Sequence, residues 1–217
     1  MKSLTQRVFE LAPPGGLFDE TAIANLFPGR SQGARNALVH RAVESGEVLR
    51  LRPGFYCLAE PFRKTRAHPF IVAAVLHAPS HVSLESALRH HGLIPEAVRE
   101  VASVTVARSR RYVTPLGAFS FRRVPASKPR AGVRAVEVAP GAWAFVAGPL
   151  RAIADLVYLR SEVSWERDGL GFLVESMRVE RDDLDRISWR GFGEIRRGIR
   201  NGRVGAYLDG LREEFGR

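Results

Sequence analysis

Two pairs of side chains in this sequence have the residue types and the spacing that metal chemistry needs. His77 and His81 are four residues apart, as two imidazoles on one helix face would be, but Pro79 lies between them and a third ligand is missing. Asp183 and Asp185 have the Asp-x-Asp spacing of a nucleotidyltransferase, but the chain has no Gly-Ser dipeptide to precede them. We therefore predict no metal site, and we expect the two aspartates to begin a helix.

Other catalytic signatures are also missing from the sequence. The only lysines are Lys2, Lys64 and Lys128, and none follows a glutamate at the Glu-x-Lys spacing of restriction-like nucleases. The chain has no Gly-x-x-x-x-Gly-Lys phosphate loop, no Gly-x-Ser-x-Gly nucleophile elbow and no His-Glu-x-x-His zinc helix. The sequence predicts a protein that is not an enzyme, with no catalytic residue and no cofactor.

Arginine provides the remaining chemistry, because guanidinium groups bind phosphates. The 217 residues include 33 positive and 23 negative side chains, for a net charge of +10. Residues 63–134 alone hold 13 positive and 3 negative side chains, so the excess lies in the middle of the chain. Such a field attracts nucleic acid first and an anionic membrane second. Since all but three of the positive residues are arginine, a compositional bias of the source genome is an equally good explanation.

Composition and the first residues narrow the class of protein. A hydrophobic content of 45% is that of a globular chain and excludes a disordered or collagen-like protein. The single cysteine, Cys57, favours a reducing cytoplasm over a secreted location. Arg7 and Glu10 interrupt the apolar stretch that a signal peptide needs, and the longest uncharged run is too polar to cross a bilayer. We expect a cytoplasmic protein with no membrane partner.

Three helices and a hairpin are predicted in the first 62 residues. Residues 3–11, 20–27 and 32–45 carry apolar side chains at helical spacing, and Asp19 and Ser31 stand at the N-cap positions of the second and third helices. Two short apolar strands then flank an Arg-Pro-Gly turn. Helix, helix, turn, helix and hairpin is the order of a winged helix-turn-helix.

In a winged helix-turn-helix the third helix enters the major groove of DNA and the hairpin, or wing, contacts phosphates. Amide side chains on the polar face of the third helix can read base edges, and arginines that project from the wing can bind phosphates. The predicted DNA-binding residues are Ser31, Gln32, Arg35, Asn36, Arg50 and Arg52.

A domain boundary is predicted in the polar segment 59–68, with the winged helix-turn-helix over residues 1–62 and a second domain over residues 63–217. The chain is thus expected to be α+β, because the second domain combines helices at 69–77 and 83–91, the latter capped by Ser83, with an antiparallel sheet and C-terminal helices. The predicted strands of that sheet are residues 101–107, 111–113, 118–124, 135–138 and 142–147.

A second basic cluster lies in the predicted hairpin of the second domain. It could bind a second stretch of phosphate backbone or an RNA, and a solvated turn with no ligand is the alternative. The cluster consists of Arg108, Arg110, Arg111, Arg122 and Arg123.

Four segments of the chain form a further pattern: HVSLESALRHHGLIP (81–95), RLRPGFYCL (50–58), SVTVARSRRYVTPLGAFSFRRV (103–124) and GPLRAIADLVYL (148–159). Their order and spacing resemble the AbiEi-type antitoxins, which are transcriptional regulators of bacterial abortive-infection and type IV toxin–antitoxin operons. The resemblance implies an N-terminal winged helix that binds operator DNA, a C-terminal antitoxin domain, and repression of the protein's own operon. It implies double-stranded DNA as the partner and no stable complex with a toxin, and self-association on DNA is expected to be weak if it occurs.

An alternative function comes from another class of protein. The winged helix can be purely structural, in a docking module whose basic middle region binds a nucleic acid or a protein without recognising an operator. A continuous positive stripe along residues 31–36 and the hairpin turn at 50–54 favours the repressor, whereas a neutral face there favours the docking module.

Overall fold

A computed structural model describes residues 2–95 and 100–216 as a mixed α+β protein with two sheets. Short 3-10 turns span 14–16 and 60–62, and a π-helical turn spans Phe172–Ser176. The helices are α1 (Leu4–Leu11), α2 (Glu20–Leu26), α3 (Gln32–Glu44), α4 (Pro69–Leu76), α5 (Leu84–His90), α6 (Pro149–Leu159), α7 (Trp165–Asp168), α8 (Arg181–Asp185), α9 (Phe192–Gly198) and α10 (Gly202–Glu214). The strands are β1 (Leu17–Asp19), β2 (Val48–Arg52), β3 (Phe55–Leu58), β4 (Ser80–Val82), β5 (Glu100–Thr105), β6 (Arg110–Thr114), β7 (Gly117–Arg123), β8 (Val133–Ala139) and β9 (Ala142–Ala147).

None of the described helices is long and apolar enough to span a bilayer.

The second and third helices begin where the sequence predicts, and the first begins one residue later, at Leu4. Asp19 Oδ1 accepts a hydrogen bond from the Ala22 amide at 2.8 Å, and Ser31 Oγ accepts one from the Ala34 amide at 3.3 Å. These side chains satisfy amides that have no partner within the helix, which fixes the first residue of α2 and of α3. The predictions of both caps are confirmed.

The first three helices pack against a three-stranded antiparallel sheet with the strand order β1-β3-β2. The hairpin of β2 and β3 was predicted, but β1 was not, because three residues are too few to show strand alternation. The side chains of Val8, Ile23 and Val39 are fully or almost fully buried beneath this sheet in a small apolar core. Burial of those three side chains joins α1, α2 and α3 into one unit.

The second sheet has six strands in the order β6-β7-β5-β4-β9-β8. Its strands are not all antiparallel, since β5 runs parallel to β7 and β4 runs parallel to β9. The prediction of an antiparallel sheet is therefore wrong. The physical reason is that β7 forms a hairpin with β6 and inserts between β6 and β5, so the consecutive strands β5 and β6 do not pair.

A buried ion pair lies at the centre of the larger core. Arg151 and Asp155, one turn apart on α6, are 1% and 0% exposed, and Arg151 Nε lies 2.9 Å from Asp155 Oδ1. Arg151 Nη1 also donates to the carbonyl oxygens of Pro129 and Ala131, at 3.2 and 2.9 Å. The guanidinium therefore ties α6 to the segment that leads into β8.

Ser83 does not cap α5, contrary to the prediction. Its hydroxyl, fully buried, donates to Asp155 Oδ2 at 2.7 Å instead. Burial alone would raise the pKa of Asp155, but the charge of Arg151 and the contacts of His81 and Ser83 outweigh it and hold the pKa below its ordinary value of 3.8. The carboxylate is thus kept ionised in the core.

The segment predicted as an inter-domain linker packs against the first region. The Gly15 amide donates to Thr65 Oγ1 at 3.1 Å, and Gly15 lies so close to Ala67 that a Cβ at Gly15 would stand 2.8 Å from the Ala67 Cα. Leu51 and Cys57, from the hairpin, belong to the larger core. The division at residues 62 and 63 stays a prediction, and segment 59–68 is anchored along part of its length.

Candidate nucleic-acid interface

The exposed face of α3 carries an ordered network of polar side chains. Gln32 Nε2 donates to Asn36 Oδ1 at 3.0 Å, and Arg35 Nη2 donates to Gln32 Oε1 at 2.9 Å. Arg35 Nη1 donates to the Arg30 carbonyl at 2.8 Å, which anchors the network to the turn before the helix. The network fixes the side chains of Gln32 and Asn36 on the solvent side of the helix, where amides can pair with a base edge.

Ser31 lies at the start of the same helix and is exposed. Its oxygen is used by the Ala34 amide, and its hydroxyl hydrogen is left to donate outward. The first amides of α3 give this end a partial positive charge, which suits a phosphate. Four of the six predicted DNA-binding residues are therefore brought together within the first turns of α3.

The two predicted wing arginines have different surroundings. Arg50 is exposed, with its guanidinium 5.9 Å from the centre of the Tyr56 ring. Arg52 was also expected to project into solvent and is half-buried: its guanidinium stacks on Phe55 at 4.1 Å, and its Nη2 donates to the Val75 carbonyl at 3.4 Å. A register shift between the two arginines accompanies this difference.

Of the five arginines of the second basic cluster, Arg108 lies in the loop between β5 and β6, and the other four lie on β6 and β7, on both faces of the six-stranded sheet. Arg110 pairs with Phe121 across β6 and β7, whereas Arg111 pairs with Ser120. Because directly paired residues project from the same face and neighbours along a strand project from opposite faces, Arg110 and Arg111 face opposite ways. Arg110 and Arg111 are adjacent in the sequence, but the pleat of the sheet places their side chains on opposite faces.

The remaining members follow the same alternation. Arg122 lies on the Arg111 face, and Arg123 ends β7 on the Arg110 face. Arg111 is paired with Glu100, with 3.0 Å between Nε and Oε2. Within the described part of the chain, the guanidinium groups of the other four have no carboxylate at ion-pair distance; these are Arg108, Arg110, Arg122 and Arg123.

His77 connects the wing with the sheet. Its ring lies 5.0 Å from the ring of Phe121. Burial lowers the pKa of His77, the positive charges of Arg110 and Arg52 lower it further, and the backbone of Arg108 acts in the opposite direction. The charges of Arg110 and Arg52 thus act with burial to favour the uncharged form of the ring. Sequence patterns did not mark His77 as part of this junction, because it depends on β2 and β6 becoming neighbours in space.

His81, Ser83 and Asp155 have the residue types of a hydrolytic triad but not its geometry. The Ser83 hydroxyl donates to Asp155 rather than to the imidazole, whose Nε2 lies 3.5 Å from Asp155 Oδ2. In a hydrolytic triad the serine hydroxyl donates a hydrogen bond to the histidine, which takes the proton as general base. In residues 2–95 and 100–216, no three His, Cys, Asp or Glu side chains are placed to hold a metal ion.

Comparison of the chain with protein-family models and with curated protein sequences finds no match to either.

Proposed function

We propose that this chain is a DNA-binding transcriptional repressor in which α3 and the β2–β3 hairpin act as a winged helix-turn-helix. One observation supports the proposal above the others: Gln32, Arg35 and Asn36 form a hydrogen-bonded network on the solvent face of α3. The network holds both amides on the solvent face of α3, next to the hairpin. Arg50 stands exposed on the adjacent hairpin, where a wing contacts phosphates.

The proposed division of roles follows from the chemistry of each group. Gln32 and Asn36 read base edges in the major groove, with adenine as the favoured base because its N6 and N7 pair with an amide. Ser31 and the first amides of α3 bind a backbone phosphate. Arg50 binds a phosphate from the wing and carries no sequence information, and Arg35 holds the amide network in position.

The AbiEi resemblance extends the proposal beyond DNA binding. The operator lies upstream of the protein's own gene, and residues 63–217 act as the antitoxin part of a type IV toxin–antitoxin system. Neutralisation of the toxin takes place without a stable complex between the two proteins. No part of this extension is needed for the DNA-binding proposal, which depends on α3 and the wing alone.

The first prediction is that the protein binds DNA sequence-specifically, and that different residues determine the sequence preference and the overall affinity. In gel-shift titrations, a duplex from upstream of the gene should bind more tightly than a scrambled duplex of equal length. Gln32→Ala and Asn36→Ala should each reduce that preference by about tenfold, the effect of one lost bidentate base contact. Arg50→Ala should weaken both duplexes equally and lower the slope of log K against log salt by about 1.

A matched control is available on the same helix. His40 is exposed on α3, and its ion pair among the described residues is with Glu44, at 3.1 Å. His40→Ala should leave both the affinity and the preference unchanged. Equal affinity of the unsubstituted protein for upstream and scrambled duplexes would contradict the repressor proposal.

The docking module remains a second candidate because of one observation. Arg110, Arg122 and Arg123 are exposed and have no carboxylate partner in the described part of the chain. If Gln32→Ala and Asn36→Ala had no effect while loss of these arginines abolished binding, the docking module would be favoured.

A further inference from the structure

We infer that a pocket in the larger region binds a small organic phosphate, a ligand that the proposed DNA-binding function does not involve. The pocket has a volume of about 460 Å³, which is within the range of small-molecule sites. Its walls come from four separate parts of the chain: the residues after α5, the start of β8, the start of α6 and the segment from α8 to α9.

The walls of the pocket are joined by contacts within the chain. The Gly148 amide, just before α6, donates to the Gly132 carbonyl, just before β8, at 2.8 Å, and His91 Nε2 donates to the Ala147 carbonyl at 2.9 Å. Gly132 has a φ of +72°, and a Cβ at this position would stand 2.7 Å from Ile195 Cδ1. The pocket is therefore formed by the packing of the chain itself, before any ligand binds.

Part of the lining is apolar and belongs to the core. Four buried aliphatic side chains contribute to it, and contact with them favours a ligand that has an apolar body. The bases of duplex DNA are stacked inside the helix and would leave this surface uncovered, so the lining favours a small molecule over a DNA backbone. The four residues are Leu93, Leu150, Ile187 and Ile195.

The charged part of the lining is mainly positive. Arg134 lies on β8, and Arg186 and Arg190 lie between α8 and α9; all three are exposed. Asp183 contributes a carboxylate, which pairs with Arg186 at 3.3 Å. Within the described residues, Arg134 and Arg190 have no carboxylate at ion-pair distance. Two guanidinium groups from distant parts of the chain are thus left to bind an anion at one pocket.

A phosphate monoester fits this charge better than a carboxylate does. It carries about −1.5 to −2 charges at neutral pH, which matches the two guanidinium groups that have no partner. Guanidinium groups also bind phosphate oxygens in a bidentate manner. The arginines provide the full charges, and the first amides of α6, which no side chain caps, add a partial positive charge. Arg134 and Arg190 therefore bind the phosphate, and the aliphatic lining contacts the rest of the ligand.

The test uses phenyl phosphate, which combines a phosphate monoester with an apolar ring. It is titrated into the full chain by isothermal titration calorimetry in a buffer without phosphate, and we expect a Kd on the order of 1 mM. Phenol lacks the phosphate and inorganic phosphate lacks the ring. Each of these two probes should bind at least about tenfold more weakly than phenyl phosphate, because each makes only one of the two kinds of contact.

Substitutions then locate the binding in the pocket. Arg134→Ala and Arg190→Ala should each weaken the binding of phenyl phosphate about tenfold, because each removes a hydrogen bond between two charged groups. Arg134→Lys keeps the charge without the planar fork and should retain part of the affinity. Arg200→Ala is the matched control, since Arg200 is exposed, lies outside the lining and has no carboxylate at ion-pair distance in the described part of the chain.

Arg200→Ala should bind phenyl phosphate as the unsubstituted protein does, and circular dichroism checks that all of the variants are folded. Three results would overturn the inference. No binding of phenyl phosphate at about 10 mM would show that the pocket does not take an organic phosphate. Equal affinity for phenyl phosphate and inorganic phosphate would show that the apolar lining plays no part. Equal losses for Arg200→Ala and the two pocket variants would show a general effect of charge. None of these results bears on the DNA-binding proposal, which is tested by Gln32→Ala and Arg50→Ala.

Discussion

Ser31 and Ser83 stand at equivalent places in the two regions of the molecule, one residue before a helix, and the structure uses them differently. Ser31 is exposed and caps α3 through the Ala34 amide. Ser83 is fully buried and donates to the carboxylate of Asp155 on α6, which lies 72 residues further along the chain. The same local signal has a local outcome in the small region and a long-range outcome in the large one.

The difference follows from what each core has to organise. The small core joins short helices that are close in sequence through apolar side chains, and Thr5 donates to Glu47 and Arg7 to the Leu26 carbonyl beside it. The large core has to hold together strands and helices that are far apart in the chain, and the Arg151–Asp155 pair connects α6, β4 and the segment before β8. Loss of either member of a buried ion pair is strongly destabilising, because the other charge is left buried without a partner.

The largest effect is expected from Asp155→Ala. This change leaves the Arg151 guanidinium buried without its counter-charge and removes the partner of Ser83. Breaking a buried pair in this way costs about 3–5 kcal/mol. Urea unfolding followed by circular dichroism should show that loss in the large region, and a cost below about 1 kcal/mol would contradict the view that the ion pair organises this core.

The pH dependence gives a control for the charge itself. Because the folded pKa of Asp155 lies below its ordinary value of 3.8, the carboxylate stabilises the fold above that pH and loses its contribution as the pH falls through the folded pKa. Asp155→Asn keeps the shape and lacks the charge. The stability difference between the unsubstituted protein and Asp155→Asn should therefore be full near neutral pH and shrink in strong acid.

An intermediate effect is expected from Ser83→Ala. The hydroxyl donates to an ionised, buried carboxylate, and a hydrogen bond to a charged group contributes about 1.5–3 kcal/mol. The unfolding free energy should fall by that amount. Combined with Asp155→Ala, the serine substitution should add little, because its partner is already gone; additive costs in this double-mutant cycle would show that the two residues act independently.

The smallest effect is expected from Ser31→Ala, which removes only an exposed helix cap. Such a substitution lowers the free energy of unfolding by about 1 kcal/mol, and Ser31→Gly should lower it by only about a few tenths of a kcal/mol. If Ser31→Ala were as costly as Ser83→Ala, the contrast between the two regions would be lost. DNA binding should be measured on the same variant, since Ser31 is also a proposed phosphate ligand.

Sequence patterns predicted the parts of the fold in which neighbours along the chain interact. The caps Asp19 and Ser31 were identified because the amides that they bind are three residues away. Ser83 was misassigned because its partner, Asp155, is far along the chain. The strands β1 and β4 were missed because three residues carry no period.

The candidate site was predictable to a similar extent. The amide face of α3 follows from helical spacing, so Gln32 and Asn36 were placed correctly on the exposed side. The arginines could be counted from the sequence but not assigned to faces, because that depends on the pairing of Arg110 with Phe121. The fixed position of Arg52 depends on the Val75 carbonyl, which no local pattern connects with the hairpin.

The short central strand β4 has a consequence for the order in which the protein is made. β4 joins the two halves of the large sheet, and its parallel partner is β9, through the pair Val82 and Val146. A ribosome adding about 5–20 residues per second needs roughly 3–13 s to travel from one to the other. During that interval all the helices and strands of the small region have already been synthesised. One edge of β4, at Val82, still has no strand to pair with. The nascent large region is thus the part that depends on protection from aggregation until β9 emerges.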